Sequence, residues 1–391
     1  MLKRLVRSTL RGTLVPGIRA RATEVWTRGR QAAERQRKTK ALDLWLARLG
    51  AQRPDVIIGA NLAWGGVRQH IHALRNYSAL RLEPAPPDEL LEDFGPELQS
   101  LFAQFVPLGA RAIHSHVFPW FIQWCRQRQS AGLRWLHTYH LNYFPEHART
   151  ELQPWQRAIN AALLGEARLA DVRISVSRWQ REFLARTHQI ETIYLPNGVD
   201  VAECDRGQAS RFRSRFGDRP FLLYVGRNDP VKNPADFVRL AQRLPGQACV
   251  MIGHGLSPEI LRTEWLVQLP DNLEVRGDAT HGEVQDALAA CAALVVTSKR
   301  EGLPTLVLEA MTHGKPIVVP DEAGCREAIH DGEFGFIYQP DQLDHFAEQS
   351  QAALADKQKP RGARDRVLSH YDWRVVAPQL DQLYRGGGEG L

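Results

Sequence analysis

Short β-branched apolar runs alternate along the chain with longer amphipathic stretches. Near the start, the run Asp-Val-Ile-Ile-Gly-Ala after Pro54 predicts a strand, and the segment from His70 to Leu74, beyond a glycine pair, predicts a helix. Further strands are predicted at 112–116, 133–139, 172–176 and 192–195, and helices at 118–128 and 155–169. This alternation favours a parallel sheet covered by helices on both faces.

The second half repeats the pattern more cleanly. Strands are predicted at 221–225, 248–252, 273–275, 293–297, 316–319 and near Phe336, and helices at 234–244, 257–266, 282–291 and 305–312. We therefore expect an α/β protein with two doubly wound domains in tandem, joined by a hinge at 195–200. Segment 82–99, with four prolines and six acidic residues, predicts a loop or an irregular helix pair.

Length and composition agree with two domains. At about 100 to 200 residues per domain, 391 residues correspond to two or three. The apolar runs fall short of the roughly 20 residues that span a bilayer, so no membrane-spanning helix is expected. The five cysteines lie far apart without a Cys-x-x-Cys pair, which predicts neither a disulfide framework nor a thiolate metal site. A reducing, cytoplasmic location fits this pattern.

The net charge of +6 is unevenly distributed. Residues 1–50 carry 13 Lys and Arg against three acids, a net +10, whereas the other 341 carry 37 basic and 41 acidic residues, a net −4. Leucines and Val6 recur at helical spacing in residues 2–14, opposite arginines. This basic amphipathic arm favours an anionic membrane surface over a solvated tail. A mitochondrial transit peptide and a nucleic-acid-binding arm are minor alternatives.

Two glycine turns follow strands of the second half, where open α/β sheets bind ligands. The turn 226–233 contains Gly226 and two cations, Arg227 and Lys232. The turn Gly253-His254-Gly255 lacks the third glycine of the dinucleotide fingerprint, which argues against a nicotinamide cofactor. Taken alone, such a pair of cations is common on surface loops.

The segment 298–311 contains two glutamates around a predicted helix start. Pro304 fits that start, so Glu301 lies in the preceding loop and Glu309 about one turn inside the helix. The two carboxylates cannot share a helix face, but both can line one cleft beside free backbone N–H groups. A diphosphate suits such a helix N-terminus, while carboxylates accept hydrogen bonds from hydroxyls. The pattern fits a sugar nucleotide, although two glutamates at this spacing are ordinary by themselves.

Several of these motifs together resemble the nucleotide-sugar half of the family-4 retaining glycosyltransferases. The resemblance rests on 226–233, the hinge 196–200, 301–311 with 314–316, and 324–327, and it is dense from about Tyr194 to Tyr384. Tyr371-Asp372-Trp373 and the helix after it look like the closing helix of that family. The resemblance implies a GT-B fold, with two Rossmann-like domains facing a cleft. The arm would be 1–50, the acceptor domain 51–197 joined by helix 371–386, and the donor domain 198–370.

The resemblance also implies roles for particular residues. Arg227 and Lys232 would hold the diphosphate in place of a metal, Glu309 the ribose and Glu301 the donor sugar. His140 would contact that sugar, with His137 as the competing choice. Gly65 and Gly66 look like the family's glycine loop, although Arg68 stands where an acidic or neutral residue is commoner. The remaining donor-binding candidates are Gly226, Gly253, Gly302, Leu303, Pro304 and Thr305. No metal site and no cofactor are expected.

The expected function is metal-independent, retaining transfer of a sugar from a nucleoside-diphosphate sugar to an acceptor hydroxyl. A lipid-linked saccharide, lipopolysaccharide or other cell-surface glycan is the expected acceptor, and nucleic acid is not expected as a partner. The expected location is the cytoplasm, at the inner face of the cytoplasmic membrane. Two alternatives stay open: a non-catalytic scaffold on this fold, and a GT-B epimerase or phosphorylase acting on the nucleotide sugar itself.

Overall fold

The computed structural model describes residues 16–63, 65–356 and 358–387. The described chain divides into two units. One unit comprises the residues up to Arg53 together with Pro86–Leu108, and the other comprises Pro54–Ala85 and the chain from Gly109 onwards. The amphipathic pattern predicted at residues 2–14 lies outside the described residues.

Helices and strands follow one another in the order expected of α/β units. Along the chain they are α1 (Pro16–Gln52), β1 (Val56–Gly59), α2 (Gly66–Tyr77), β2 (Leu82–Ala85), α3 (Pro96–Phe102), β3 (Ala112–Ser115), α4 (Pro119–Gln129), β4 (Arg134–Tyr139), α5 (Pro154–Ala161), β5 (Val172–Ser175), α6 (Arg178–His188), β6 (Ile193–Tyr194), α7 (Val201–Cys204), α8 (Ala209–Phe216), β7 (Phe221–Val225), α9 (Pro234–Arg243), β8 (Ala248–Ile252), α10 (Pro258–Thr263), β9 (Leu273–Arg276), α11 (His281–Ala290), β10 (Ala293–Val295), α12 (Thr305–Thr312), β11 (Ile317–Pro320), α13 (Ala323–Ala328), β12 (Phe336–Tyr338), α14 (Leu343–Ala355), α15 (Ala363–His370) and α16 (Trp373–Tyr384). Short 3₁₀ helices lie at Asp88–Asp93, Pro145–His147, Ala167–Leu169 and His330–Gly332, and a short π-helix lies at Ala162–Glu166.

The smaller unit is built on the long helix α1. Trp45 of α1 stacks on Phe102 of α3, with ring centroids 5.6 Å apart. Arg37 and Lys38 pair with Asp93 at 3.0 and 2.9 Å. Leu44 stays 63% exposed on the same helix. Part of the basic charge of α1 is therefore neutralised by acids of the segment 88–97.

The larger unit contains two parallel sheets of six strands each. The strand order is β2-β1-β3-β4-β5-β6 in the first sheet and β12-β11-β10-β7-β8-β9 in the second. The order therefore reverses between β1 and β3 in one sheet and between β7 and β10 in the other. Open α/β sheets bind ligands at such reversal points, outside the carboxyl ends of the strands.

The observed elements agree closely with those that the apolar runs predict. Strands β7 and β8 and helix α12 have the predicted limits, because each is bounded by turn residues and buried along nearly its whole length. The prediction for 82–99 was wrong in part, because Leu82–Ala85 forms strand β2, paired in parallel with β1. β2 is an edge strand, which tolerates Pro84 because an edge has an unpaired side.

Helix α16 returns from the end of the second sheet onto the first. Its residues Val376 and Leu380 share a core with Ile58 of β1 and Leu136 of β4. At the crossing, the Val199 N–H donates to the Tyr371 carbonyl at 2.6 Å. The domain limits at residues 50, 197 and 370 stay a prediction.

Candidate active site

The loops that leave β7 and β10 meet at the reversal point of the second sheet. The Lys299 N–H donates to the Val231 carbonyl at 2.8 Å. The Thr297 hydroxyl donates to the carbonyls of Lys232 and Asn233 at 2.8 and 2.9 Å. These bonds fix loop 226–233 against the end of β10, so its side chains are held at the carboxyl edge of the sheet.

The two cations of that loop are each held by a carboxylate. Lys232 Nζ lies 2.5 Å from Glu301 Oε1, and the Lys232 side chain is 29% exposed. Arg227 Nη2 lies 2.7 Å from Asp229 Oδ2, and the Arg227 side chain is 39% exposed. Both cations therefore reach solvent at the sheet edge while keeping a defined position.

Glycines let the loops after β7 and β8 pack backbone to backbone. A Cβ at Gly253 would lie 1.7 Å from the carbonyl oxygen of Gly226, so a side chain there would force the loops apart. The Asn228 N–H donates to the His254 carbonyl at 2.8 Å. Gly226 and Gly253 therefore allow the close contact of these two loops, and Arg227 lies next to that contact.

Helix α12 begins beside this edge as the sequence predicts. Pro304 precedes the helix, Thr305 is its first residue and Leu303 is buried. Glu309 lies one turn further along, where it accepts a hydrogen bond from Gln285 Nε2 at 2.6 Å. Burial raises the pKa of the Glu309 carboxyl above its ordinary value.

The two glutamates therefore occupy different environments. Glu301 contacts Lys232, whereas Glu309 contacts Gln285 of α11. Gln285 Oε1 in turn accepts a hydrogen bond from His313 Nε2 at 2.9 Å. Two successive hydrogen bonds, from His313 to Gln285 and from Gln285 to Glu309, therefore hold Glu309 Oε2 in place.

The loop before α12 also touches the first sheet. A Cβ at Gly302 would lie 2.0 Å from the carbonyl oxygen of His140. The Trp179 indole N–H donates to the Gly302 carbonyl at 2.8 Å, and Asn197 Nδ2 donates to the Leu303 carbonyl at 3.4 Å. Backbone contact at Gly302 therefore places the loop that carries Glu301 against the chain at His140.

His140 and His137 differ in what surrounds them. His137 is fully buried, and its Nδ1 is 2.8 Å from the Ser115 hydroxyl. His140 is partly exposed, and its Nε2 is 2.9 Å from His116 Nδ1. Burial lowers the pKa of His140 to about 4, so its ring is neutral at pH 7. Of the two candidates, His140 is the one that is partly exposed.

The predicted glycine loop of the first sheet leads into helix α2. Gly65 has a φ of +99°, a conformation that favours glycine, and it precedes Gly66, the first residue of α2. The Arg68 guanidinium donates to the Leu62 carbonyl at 2.8 Å. Arg68, the departure from the family pattern, therefore closes this loop onto the chain that leaves β1.

Further contacts across the cleft were not predicted from the sequence. Arg300 donates to Glu146 at 2.9 Å and lies over the Phe144 ring, 4.7 Å from its centroid. Glu327 accepts hydrogen bonds from the first two N–H groups of α6, at 2.7 and 2.9 Å. Glu327 belongs to the motif 324–327, but the N–H groups that donate to it, of Arg178 and Trp179, lie about 150 residues away in the sequence. Local sequence patterns do not predict contacts over such a separation.

Comparison with protein families shows where the chain belongs. Residues 63–203 match the family described as Glycosyltransferase Family 4, and residues 206–367 match the one described as Glycosyl transferases group 1. The chain belongs to the family-4 glycosyltransferases. The first match contains strands β2 to β6 and the second contains strands β7 to β12.

Curated relatives and a solved structure agree with this family. Glycogen synthase of Mycobacterium tuberculosis is 28% identical over 214 residues, 51% of this chain and 50% of that protein. Phosphatidyl-myo-inositol mannosyltransferase of the same organism is 26% identical over 277 residues, 63% of this chain and 66% of that protein. This family-4 chain spans about half to two thirds of the length of these relatives.

Anabaena HepE, solved with UDP and glucose, has the same fold as this family-4 chain. The TM-score is 0.67 at 17% sequence identity, and the match covers 85% of this chain and 99% of HepE. The fold is GT-B: two Rossmann-like domains, each with a six-stranded parallel sheet. In the described residues, no helix has both the length and the apolar character needed to cross a bilayer.

Proposed function

We propose that this chain transfers a sugar from a nucleoside-diphosphate sugar to an acceptor hydroxyl, with retention of the anomeric configuration and without a divalent metal. The observation that carries the proposal is the contact between Lys232 and Glu301 at the reversal point of the second sheet. A cation and a carboxylate lie there side by side, and the loop of Glu301 contacts the His140 backbone at Gly302. This is the combination that a diphosphate joined to a sugar requires.

The diphosphate is bound by Arg227 and Lys232 in this proposal. Each cation is held by a carboxylate before the substrate arrives, so little reorganisation is needed when phosphate oxygens approach. The start of α12 adds backbone N–H groups with the polarity that favours an anion. Charge that develops on the leaving diphosphate is then stabilised by fixed cations, the kind of contribution that is usually the largest in enzyme catalysis.

The sugar and the ribose are bound by carboxylates. Glu309 is held by Gln285 with one oxygen bonded, and it accepts hydrogen bonds from the ribose diol. Glu301 accepts from hydroxyls of the donor sugar, and His140 meets the same sugar from the other lobe. Such hydrogen bonds to charged groups contribute about 1.5–3 kcal/mol each.

Transfer with retention follows from attack on the face that the diphosphate leaves. The bond between the anomeric carbon and the phosphate oxygen breaks, and the acceptor oxygen bonds to the same carbon on the same face. A phosphate oxygen of the leaving group takes the acceptor proton. No protein carboxylate is assigned as a nucleophile, and Arg227 and Lys232 take the place of a metal.

The acceptor is a lipid-linked saccharide, a lipopolysaccharide or another cell-surface glycan. The relative named as a phosphatidyl-myo-inositol mannosyltransferase supports a lipid acceptor, and HepE bound to UDP and glucose supports a nucleotide-sugar donor. The net +10 of residues 1–50 supports docking on the anionic inner face of the cytoplasmic membrane. Each Lys or Arg near such a surface contributes about 1 kcal/mol.

The test is turnover in the presence of a chelator. UDP-, GDP- and ADP-sugars are incubated with the chain and a glycolipid acceptor, nucleoside diphosphate release is measured, and the product anomer is assigned by NMR. We expect release only when acceptor is present, with a retained anomer. We also expect Lys232→Ala to reduce turnover by roughly 100-fold or more.

Each other outcome contradicts part of the proposal. Loss of activity on chelation overturns metal independence, and an inverted product overturns retention. Conversion of the nucleotide sugar without acceptor favours an epimerase or phosphorylase. No binding of any nucleotide sugar favours a non-catalytic scaffold.

A further inference from the structure

Five histidines crowd the carboxyl ends of β3 and β4 and the facing side of α2. They are His70, His114, His116, His137 and His140. Four of them are at most 8% exposed, which is unusual for histidine. His114 is fully satisfied, because its ring nitrogens lie 2.6 Å from the Tyr384 hydroxyl and 2.8 Å from the Thr138 hydroxyl. His70, His116 and His140, in contrast, have no such pair of hydroxyl partners for their ring nitrogens among the described residues.

These three histidines converge on one point. One ring nitrogen from each lies within 4.8 Å of those of the other two. His116 Nδ1 and His140 Nε2 are 2.9 Å apart, and the His70 ring lies edge-on to both, with centroids 5.2 and 5.0 Å away. The cluster lies beside the reversal point of the first sheet, between β1 and β3.

Several nitrogens of this cluster are left without a hydrogen bond. Within the described part of the chain, both ring nitrogens of His70 and Nε2 of His116 are buried and unpaired. A buried polar atom without a partner costs about 1–3 kcal/mol and requires an explanation. Burial keeps the pKa of all three rings below the ordinary value, so at pH 7 each presents a lone pair.

We propose that His70, His116 and His140 bind a single transition-metal ion of the Zn²⁺ type, which takes no part in the chemical step of sugar transfer. Neutral imidazole is a preferred ligand of Zn²⁺, Co²⁺ and Ni²⁺, and three histidines leave a fourth position open. No carboxylate belongs to this group of the described residues, so Mg²⁺ and Ca²⁺, which take oxygen ligands, are excluded.

The geometry needs only small ring movements to hold the ion. Zn–N bonds of about 2.0–2.1 Å in a tetrahedron place ligand nitrogens roughly 3.3 Å apart, compared with the present separations of 2.9 to 4.8 Å. The hydrogen now shared by His116 Nδ1 and His140 Nε2 moves to the opposite nitrogen of the donor ring. His140, the partly exposed member, gives the ion access from the cleft.

Asn197 completes the surroundings of the site. Its Nδ2 is fixed by the Leu303 carbonyl, while Oδ1 makes no well-aligned hydrogen bond to any described residue. The Asn197 side chain lies close enough to His70 and His140 to favour their protonated forms. When the metal occupies the other ring nitrogen, Asn197 Oδ1 accepts the N–H of a ligand ring, an arrangement that orients metal-bound histidines.

Occupancy also has a consequence that rests on the proposed function. The ion withdraws the His140 ring nitrogen that would otherwise meet the donor sugar, so it should inhibit transfer. Binding itself is measured without any nucleotide sugar, so failure of the metal site and failure of the transferase proposal are separate results.

The experiment uses the full chain, free of any histidine tag and stripped with a chelator that is then removed. Co²⁺ is titrated by absorption spectroscopy and Zn²⁺ by calorimetry, with excess Mg²⁺ present throughout. We expect one ion per chain and a tetrahedral Co²⁺ spectrum. Asn197→Ala should weaken binding about 10- to 100-fold, and His116→Ala should weaken it more.

Two further variants separate binding from folding. His370→Ala, at an exposed position of α15, should bind the metal like the wild type. His116→Asn, a smaller change, replaces His116→Ala if circular dichroism shows that the alanine variant is unfolded. The proposal is overturned if the wild type gives no tetrahedral Co²⁺ spectrum, or if folded His116 variants bind Zn²⁺ as tightly as the wild type.

Discussion

At the scale of single residues, the site depends on glycines, because the absence of a side chain lets two backbone segments come into contact. Gly302 lies against the His140 carbonyl, and Gly253 lies against the Gly226 carbonyl. Both contacts bring cleft-lining loops closer than any Cβ allows. The polar residues are fixed by one or two bonds each, Lys232 by Glu301 and Glu309 by Gln285.

Replacement of Gly302 by Ala should therefore disturb both stability and activity. The new Cβ would meet a backbone oxygen at 2.0 Å, so the loop must move away from His140. We expect the free energy of unfolding to fall by about 1–3 kcal/mol, measured by urea denaturation. Gly282→Ala is the control, since a Cβ there would meet no described atom within 4 Å outside its own stretch of helix α11. Equal stability of the two variants would contradict the close contact.

At the scale of elements, helix ends connect the two sheets. The N-terminus of α6 has no side-chain cap of its own from Ser177, and its first N–H groups donate instead to Glu327 of α13. Helix α6, which packs on the first sheet, is thereby capped by Glu327 of α13, a helix of the second sheet.

Glu327→Ala should uncap α6. Loss of a capping acceptor costs about 0.5–2 kcal/mol, so we expect a fall of that size in the free energy of unfolding, measured in urea. Glu348→Ala, at an exposed position of α14, removes the same charge without a cap and should change stability little. A Glu327 variant as stable as the Glu348 variant would show that the cap contributes nothing.

The strands of the second sheet could be predicted to within one or two residues, but the helices α8, α13, α14 and α15 were not predicted, and neither was the geometry of the site. Strands β7 and β8 are uninterrupted apolar runs between turn residues, so periodicity alone defines them. Strand β2 was not predicted, because a proline such as Pro84 argues against a strand unless the strand lies at the edge of a sheet. Sequence motifs identified Lys232 and Glu301 as separate candidates. The contact between them depends on the order of strands in the sheet, which no local sequence pattern encodes.

At the scale of the whole molecule, the histidines of the first lobe make stability depend on pH. Burial lowers the pKa of His114 to about 3 and of His140 to about 4, and keeps that of His70, His116 and His137 well below the ordinary value. The unfolded chain takes up protons on these rings below about pH 6.5, whereas the folded chain does not. The free energy of unfolding should therefore fall as the pH drops.

Urea denaturation at about pH 7.5 and about pH 5.5, with a chelator present, measures this dependence. Each such histidine contributes a slope of up to about 1.4 kcal/mol per pH unit below its unfolded pKa. His114→Gln should reduce the slope, because it removes one ring whose pKa is lowered by burial. Identical slopes for the wild type and His114→Gln would contradict the assignment of His114 as a buried neutral ring.

The central claim, that a diphosphate binds at the loop of Arg227 and Lys232, is tested most directly by calorimetric titration with UDP, GDP and ADP in the presence of a chelator. We expect one of the three to bind the wild type, and Lys232→Ala to weaken that binding at least about tenfold. Stability should change by less than about 1 kcal/mol, because the pair with Glu301 is partly exposed. Lys299→Ala, an exposed lysine in the neighbouring loop, should bind like the wild type. Equal affinity of the wild type and Lys232→Ala for the nucleotide that binds, or no binding of any nucleotide by the wild type, would contradict the account.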